Sequence, residues 1–379
     1  MVRLFLTSSH LSSISAALIA KQFNRSGDKN YLLIDHYGKK ASLVHLINQS
    51  NEIFPWDGVI DFSYHLSNKQ DLNPGLKKRI LRKLKVLPLI SDVYDYFLRH
   101  HTKSYVVEMC DVVKGKIELA EVKDCDEIYF LTQTALNETL QTVFPGARNV
   151  YYEHGLGDYY YFYHRIPGGK FIGFFGQEFQ KFSNRNSVSL VKSIQLGDGL
   201  VFDDAMQKFH HLISSRLEWL RGGACAIFLM DALEGYNPPE HFWTDYLEMA
   251  LNRSQLPHDC VLLVKPHPNQ SNGVMQITSD WLKKNNINHV FLSDPEFVSL
   301  SVEVIFSYLK KEVICLISTF SSAIFYLAKF YPEKCRFLLM YDFVKPFTKN
   351  APKQYIDHFN GLKPLIDDVF MQPNIERVE

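Results

Sequence analysis

Short apolar runs alternate with helical patterns along most of the chain, and this alternation constrains the fold more than any other feature. The runs at 2–6 and 31–34 have the length of buried strands, and the segment at 12–23 between them carries apolar residues at helical spacing. Strands that alternate with helices predict a parallel sheet with helices on both faces. Further strand-like runs lie at 59–62, 105–109, 127–131 and 149–152, and further helical patterns at 40–48 and 76–87.

The same alternation restarts in the second half of the chain. A long helix is predicted at 204–220, and apolar strand-like runs follow at 224–230, 260–264, 290–292 and 313–317. Two such halves predict an α/β fold of two Rossmann-like lobes whose parallel sheets face across a cleft. We expect an N-terminal lobe at 1–200, a C-terminal lobe at 201–350, and a final segment at 351–379 whose helix at 353–369 packs back on the first lobe.

The charge is balanced overall but uneven along the chain. Lysine plus arginine and aspartate plus glutamate each number 41, so the net charge is zero, which argues against a nucleic-acid partner. A basic stretch nevertheless includes Lys77, Lys78, Arg79, Arg82 and Lys83. Two interpretations stay open: a solvated helix face, or a surface for an anionic polymer or anionic lipid headgroups.

Cysteine usage and hydropathy bear on the compartment. None of the 6 cysteines forms a C-x-x-C pair, which is typical of reduced thiols in a cytosolic protein. No apolar stretch reaches the ~20 residues of a membrane-spanning helix. We therefore expect a cytoplasmic protein, either free or peripheral on the inner face of the plasma membrane.

A first candidate motif, Glu153-His154-Gly155, directly follows the apolar run at 149–152. Glu153 is thus expected at the carboxyl end of a strand, where ligands of parallel sheets bind. A carboxylate there can take a proton from a sugar hydroxyl. The structural alternative is that Glu153 caps the next helix and that Gly155 only turns the chain.

A second motif, Lys265-Pro266-His267-Pro268, also follows an apolar strand-like run. The two prolines fix the local backbone and so orient His267. A protonated histidine beside a lysine suits a phosphate leaving group. The alternative is a proline-rich turn with a surface histidine.

A third candidate is the hydroxyl-rich turn that contains Thr319, Ser321 and Ser322, between a strand-like run and a predicted helix at 324–330. Free N–H groups at a helix N-terminus bind anions, and ordinary capping by serine uses the same geometry. Upstream, Glu303 is an acid within an apolar stretch. A buried carboxylate needs a partner such as a ribose diol, whereas a solvent-facing one at a helix start does not.

Taken together, these elements resemble the bacterial sialyltransferases of GT-B fold. That family carries an acidic (D/E)-(D/E)-G motif in its first lobe, then a His-Pro and a Ser-Ser motif in its second, matched here by Glu153-His154-Gly155, His267-Pro268 and Ser321-Ser322. Within the family, the chain is most similar to the capsule polysialyltransferases, which extend polysialic acid at the inner face of the bacterial membrane. One position departs from the signature, because His154 stands at its second acidic position.

The resemblance implies an inverting, metal-independent transfer of sialic acid from CMP-sialic acid, without a cofactor. The acceptor would be oligo- or polysialic acid or a sialylated glycolipid in capsule biosynthesis, bound by the first lobe with the CMP donor in the second. Glu153 would be the general base, with Asp158 as the second choice, and His267 would stabilise or protonate the phosphate. The implied donor-binding residues are Lys265, Glu303, Thr319, Ser321 and Ser322, and the implied acceptor-binding residues are the five basic residues at 77–83.

Three further hypotheses remain open at this point. The first is a lipooligosaccharide sialyltransferase or another GT-B transferase with a different nucleotide-sugar donor. The second is a capsule phosphotransferase, which an imidazole loop and a helix N-terminus also fit. The third is a polysaccharide-binding protein without turnover.

Overall fold

The computed structural model describes residues 1–35, 41–62, 113–118, 122–131, 136–165, 169–186, 191–231, 241–268, 270–332 and 335–378, with single residues at 110, 120, 233, 236, 238 and 239. The chain divides into two compact units, Met1–Tyr152 and Glu153–Glu379. The lobe boundaries expected from the sequence, at residues 200 and 350, remain a prediction.

Five parallel strands of the first unit follow the order β3-β2-β1-β4-β5. This is the strand order of a Rossmann sheet, as the alternation predicted. The predicted helix at 76–87 and strand at 105–109 lie outside the described residues. The strands are β1 (Val2–Thr7), β2 (Lys29–Ile34), β3 (Gly58–Asp61), β4 (Glu127–Phe130) and β5 (Arg148–Tyr152), and the helices are α1 (His10–Phe23), α2 (Ala41–Asn48), α3 (Leu136–Val143) and a 3₁₀ turn at Gln49–Glu52.

Helix α1 begins where it does because of its cap. The Ser9 side chain accepts a hydrogen bond from the Ser12 backbone N–H, and the Ser12 side chain accepts one from the Ser9 backbone N–H, which completes a capping box. The helix is buried from His10 to Ala20. It therefore covers one face of a sheet whose central strand, β1, is buried from Arg3 to Thr7.

Six parallel strands of the second unit follow the order β10-β9-β8-β11-β12-β13. Counted from β8, this is again the Rossmann order, so the predicted α/β fold with two such parallel sheets is confirmed. A further parallel pair is β6 (Gly169–Gly173) with β7 (Val191–Gln195). The six strands are β8 (Cys225–Met230), β9 (Val261–Pro266), β10 (His289–Phe291), β11 (Val313–Ser318), β12 (Arg336–Leu339) and β13 (Ile375–Arg377).

The helices of the second unit lie between these strands. They are α4 (Leu156–Arg165), α5 (Gly176–Arg185), α6 (Gly199–Gln207), α7 (Ser214–Leu217), α8 (Phe242–Ser254), α9 (Asn272–Lys284), α10 (Pro295–Ser299), α11 (Val302–Tyr308), α12 (Ser322–Phe330), α13 (Tyr341–Val344) and α14 (Lys353–Leu365). Shorter turns are the 3₁₀ segments His210–Leu212, Glu218–Leu220 and Lys345–Asn350, and the π segment Ile366–Phe370. No helix in the described part of the chain is both long and apolar enough to cross a bilayer.

The single helix predicted at 204–220 is wrong, because the structure breaks it into α6, α7 and two 3₁₀ turns. Phe209, Ile213 and Leu217, whose spacing produced the helical pattern, lie at the breaks and have non-helical backbone angles. All three are at most 2% exposed. Burial of these side chains thus anchors a series of turns instead of one helical face.

The helix predicted at 353–369 is present as α14 and the π segment. It packs on α4: the Tyr160 and His358 rings lie 4.7 Å apart, and a Cβ at Gly361 would overlap the Tyr160 ring. The absence of a side chain at Gly361 is what lets the two helices approach.

Gly176, the first residue of α5, offers a test of this packing. A Cβ there would overlap the Ile194 carbonyl and lie 2.6 Å from the Gln195 nitrogen of β7. Because backbone atoms cannot turn aside, we expect Gly176→Ala to lower the free energy of unfolding by about 1–3 kcal/mol.

The matched control is Gly273→Ala in α9, where a Cβ would meet nothing within 4 Å. It should be neutral or stabilise by up to about 1 kcal/mol, because alanine is the better helix former. Urea denaturation of both variants measures the difference, and equal effects would contradict the described packing of α5 on β7.

Candidate functional site

The carboxyl ends of β9, β8 and β11 lie side by side in the second sheet, and each is followed by a polar residue. His267 follows β9 and is exposed, and its backbone N–H donates to the Met230 carbonyl of β8 at 3.0 Å. Asp231 follows β8, and Ser318 ends β11. Since neighbouring strands are ~4.8 Å apart, the ends of β9 and β11 are separated by roughly 10 Å. That distance is suited to a nucleoside phosphate.

Asp231, which the sequence interpretation did not single out, anchors the turn after β11. Its Oδ2 accepts hydrogen bonds from Ser318 Oγ at 3.0 Å, from the Thr319 N–H at 2.7 Å and from the Thr319 hydroxyl. Burial raises the pKa of Asp231 although these donors oppose the shift. An aspartate directly after an apolar run was the available signal for this role.

The hydroxyl-rich turn divides its side chains between two tasks. Thr319 is fully buried, and its hydroxyl donates to Asp231. Ser321 caps α12 by accepting from the Ala323 N–H at 3.4 Å, which is the ordinary capping weighed for it. Ser322 is half-buried at the first position of the helix. Thr319 thus supports the turn, and Ser321 and Ser322 lie at the helix N-terminus.

Lys265 and Glu303, predicted to bind the donor, form a buried pair with exposures of 7% and 2%. Burial lowers the pKa of Lys265 to about 8, against the opposing charge of Glu303. Burial likewise raises the pKa of Glu303, although its own backbone N–H, Ser301 and Lys265 all favour the carboxylate. Lys265 also donates to the Val298 carbonyl at 3.2 Å. Burial thus favours the neutral form of both groups, and the charge of each opposes this shift in the other.

Glu153 follows β5 directly and is only 1% exposed. Its Oε1 accepts a hydrogen bond from the Phe174 N–H at 2.7 Å, and a Cβ at Gly173 would lie 2.7 Å from its Oε2. Burial raises the pKa of Glu153 to about 8, although the Tyr159 hydroxyl and the Phe174 N–H both oppose this. The predicted base is therefore a sealed carboxyl group, and its burial favours the protonated form.

His154, which precedes α4, and Asp158, in the first turn of α4, make an acid–imidazole pair. His154 Nδ1 lies 2.6 Å from Asp158 Oδ2, which also accepts from the His154 backbone N–H at 2.6 Å. Burial disfavours the imidazolium, but the Asp158 charge outweighs this and raises the pKa of His154. The His154 side chain is 29% exposed and that of Asp158 is fully buried. The residue that departs from the family signature is thus held by the next acid along the chain.

The structure brings the first and third motifs together within the unit Glu153–Glu379. A Cβ added to Gly155 would lie 3.6 Å from Ser322 Oγ, in ordinary van der Waals contact, so the chain passes close to the N-terminus of α12. Lys329 of α12 donates to the Phe174 carbonyl at 2.7 Å and to Glu178 at 2.8 Å. Lys329 and its contacts were not predicted from the sequence. The five basic residues at 77–83 lie outside the described part of the chain.

No protein-family model matches this sequence, and no curated protein matches it. Among solved structures, the MnaA–UDP complex of S. aureus aligns over 97% of this chain and 88% of its own, with a TM-score of 0.54 at 13% identity. A Listeria monocytogenes structure assigned as a UDP-N-acetylglucosamine 2-epimerase aligns over 98% of this chain and 93% of its own, with a TM-score of 0.51 at 11% identity. Similarity at this identity shows the fold alone, and it confirms the predicted GT-B type.

The anchoring role of Asp231 leads to a stability prediction. Asp231→Ala leaves three buried donors without an acceptor. Each unsatisfied donor lowers the free energy of unfolding by about 1–3 kcal/mol. We therefore expect a loss of at least about 3 kcal/mol in the free energy of unfolding, measured by urea denaturation.

The control is Asp245→Ala on α8, whose side chain is 48% exposed. It should cost less than about 1 kcal/mol, since exposed ion pairs and helix-end charges contribute little. Similar losses in the two variants would mean that Asp231 does not hold the turn.

Proposed function

We propose that this chain is an inverting glycosyltransferase that takes its sugar from a nucleotide sugar. The observation that carries the proposal is the approach of Gly155 to Ser322, which places the acid–imidazole segment at 153–158 beside a helix N-terminus. The segment at 153–158 can deprotonate an acceptor hydroxyl, and the helix N-terminus can bind the phosphate of the leaving group. Neither group alone would favour a transferase.

Within that class we propose CMP-sialic acid as the donor, on the strength of the motif order. The acceptor hydroxyl attacks the anomeric carbon, and CMP leaves with the electrons of the broken carbon–oxygen bond. His267 is proposed to stabilise or protonate the phosphate, and Ser321 and Ser322 to donate hydrogen bonds to it. A nucleoside monophosphate carries modest charge, and the mechanism needs no metal.

The roles of the remaining predicted residues follow from their surroundings. Glu303 remains our proposed ribose ligand, and it would exchange part of its hydrogen bonding with Ser301 for ribose hydroxyls. Lys265 balances the charge of Glu303. Thr319 holds the turn through Asp231. We further propose that the basic stretch at 77–83 guides a polyanionic acceptor such as oligosialic acid, in the cytoplasm or at the inner membrane face.

A transferase with a UDP-sugar donor is the second candidate, because a structure with the same fold is a complex with UDP. The two are separated by incubation with CMP-sialic acid or UDP-sugars and a labelled oligosialic acceptor, in buffer with EDTA. We expect CMP to be released only when the acceptor is present, and we expect the labelled acceptor chain to become longer. Release of UDP would favour the second candidate, and acceptor binding without any nucleotide release would identify a binding protein.

His267 gives the sharpest variant test of the phosphate role. His267→Ala should lower the transfer rate by at least ~10²-fold, because a positioned acid group typically contributes that much. The matched control is His258→Ala, an exposed histidine in the loop that enters β9 at its opposite end.

The control variant should retain the rate of the unmodified protein. Steady-state CMP release measures both. Near-normal transfer by His267→Ala would remove His267 from the mechanism.

A further inference from the structure

The pair formed by His154 and Asp158 has the arrangement of an oriented base. A buried carboxylate that holds Nδ1 of an imidazole fixes the tautomer and leaves Nε2 to exchange protons. Asp158 holds both the ring and the backbone N–H of His154, each at 2.6 Å. The His154 side chain is 29% exposed, so the ring is in contact with Asp158 and partly accessible.

Glu153 lacks these properties although it is the neighbouring residue. Its carboxyl group is 1% exposed, and one oxygen is used by the Phe174 N–H. An acceptor hydroxyl would have to displace the tight packing around Gly173 to reach the other oxygen.

His154 lies close in sequence to the part of the chain that approaches the proposed phosphate-binding residues. It precedes Gly155, the residue that approaches Ser322. His154 is therefore the sequence neighbour of the residue that approaches the helix N-terminus proposed to hold the phosphate.

We propose that His154, oriented by Asp158, is the general base, and that Glu153 is a positioning residue that holds the Phe174 backbone. This inference rests on the proposed function. Nε2 of His154 takes the proton as the acceptor O–H bond breaks, and the hydroxyl oxygen forms its bond to the anomeric carbon. The donor's bond between that carbon and the phosphate oxygen breaks, and its electron pair leaves with the nucleotide.

The test compares substitutions in the full-length protein with the nucleotide-release assay. His154→Ala should lose at least ~10²-fold in kcat/KM, and added imidazole should restore part of it, because a free imidazole can enter the space of a partly exposed side chain. Glu153→Gln should stay within ~5-fold, since the amide oxygen still accepts from Phe174 and an amide resembles a protonated carboxyl group. The control is His164→Ala. His164 is an exposed histidine on α4, the helix that follows His154, and this variant should remain fully active.

Asp158→Asn tests orientation, and His154→Gln replaces the alanine variant if that one does not fold. Asp158→Asn should lower kcat with little change in KM, because a misoriented base affects the reaction step and not substrate binding. Both His154→Ala and Glu153→Gln could lower kcat/KM. If added imidazole then restores part of the activity of His154→Ala, the result still supports a histidine base.

Near-normal transfer by His154→Ala or His154→Gln, or loss without imidazole rescue, would return the role to Glu153 and overturn the inference. These outcomes differ from failure of the proposed function itself, in which the unmodified protein releases no nucleotide from any donor. In that case the inference fails with it.

Discussion

The backbone of Phe174 is held from both sides, and the arrangement of the site depends on this. Its N–H donates to the Glu153 carboxyl at 2.7 Å, and its carbonyl accepts from Lys329 at 2.7 Å. Its ring packs edge-on against Tyr326 of α12 at 5.4 Å. The residue after β5, the loop after β6 and the helix that follows β11 are thereby joined. This connection keeps Gly155 beside Ser322, which no element of the sheet alone would ensure.

The acids at 153 and 158 show how environment separates roles within one short segment. Glu153 is sealed, and burial raises its pKa although the Tyr159 hydroxyl, the Phe174 N–H and the Lys329 charge oppose the shift. Asp158 is equally buried but lies 2.6 Å from the His154 imidazole, and it raises the pKa of that ring against the effect of burial. Environments that push neighbouring titratable groups in different directions are a common way to assign proton chemistry in a site.

Much of the architecture could be predicted from the sequence because buried parallel strands are continuous apolar runs. β8, β9 and β11 are almost wholly apolar, and each was recognised within one or two residues. β6, β7, β12 and β13 were missed. β6 begins and ends with glycine, and β13 is Ile-Glu-Arg, so neither of these two carries a strand pattern. Their pairing is supplied by neighbouring strands that a local pattern does not contain.

The placement of several candidate residues in the fold was predicted, their functional roles stay a prediction, and their connections were not foreseen. Strand-end placement identified His267, and the turn after β11 identified Ser321 and Ser322. The contacts of Asp231 and Lys329 join residues 88 and 155 positions apart, and no spacing in the sequence indicates them. The burial of Glu153 was also hidden, because it results from the packing of Gly173 and Tyr159 around a residue that the pattern places at an open strand end.

The central claim is that the carboxyl edge of the second sheet holds a nucleotide phosphate facing the segment at 153–158. A crystal structure with CMP or a non-hydrolysable CMP-sugar bound tests it most directly. The account predicts the phosphate within hydrogen-bond distance of His267 and the N-terminus of α12, with the anomeric carbon on the side of His154. A nucleotide bound elsewhere, with His267 and Ser322 making no contact to it, would contradict the account.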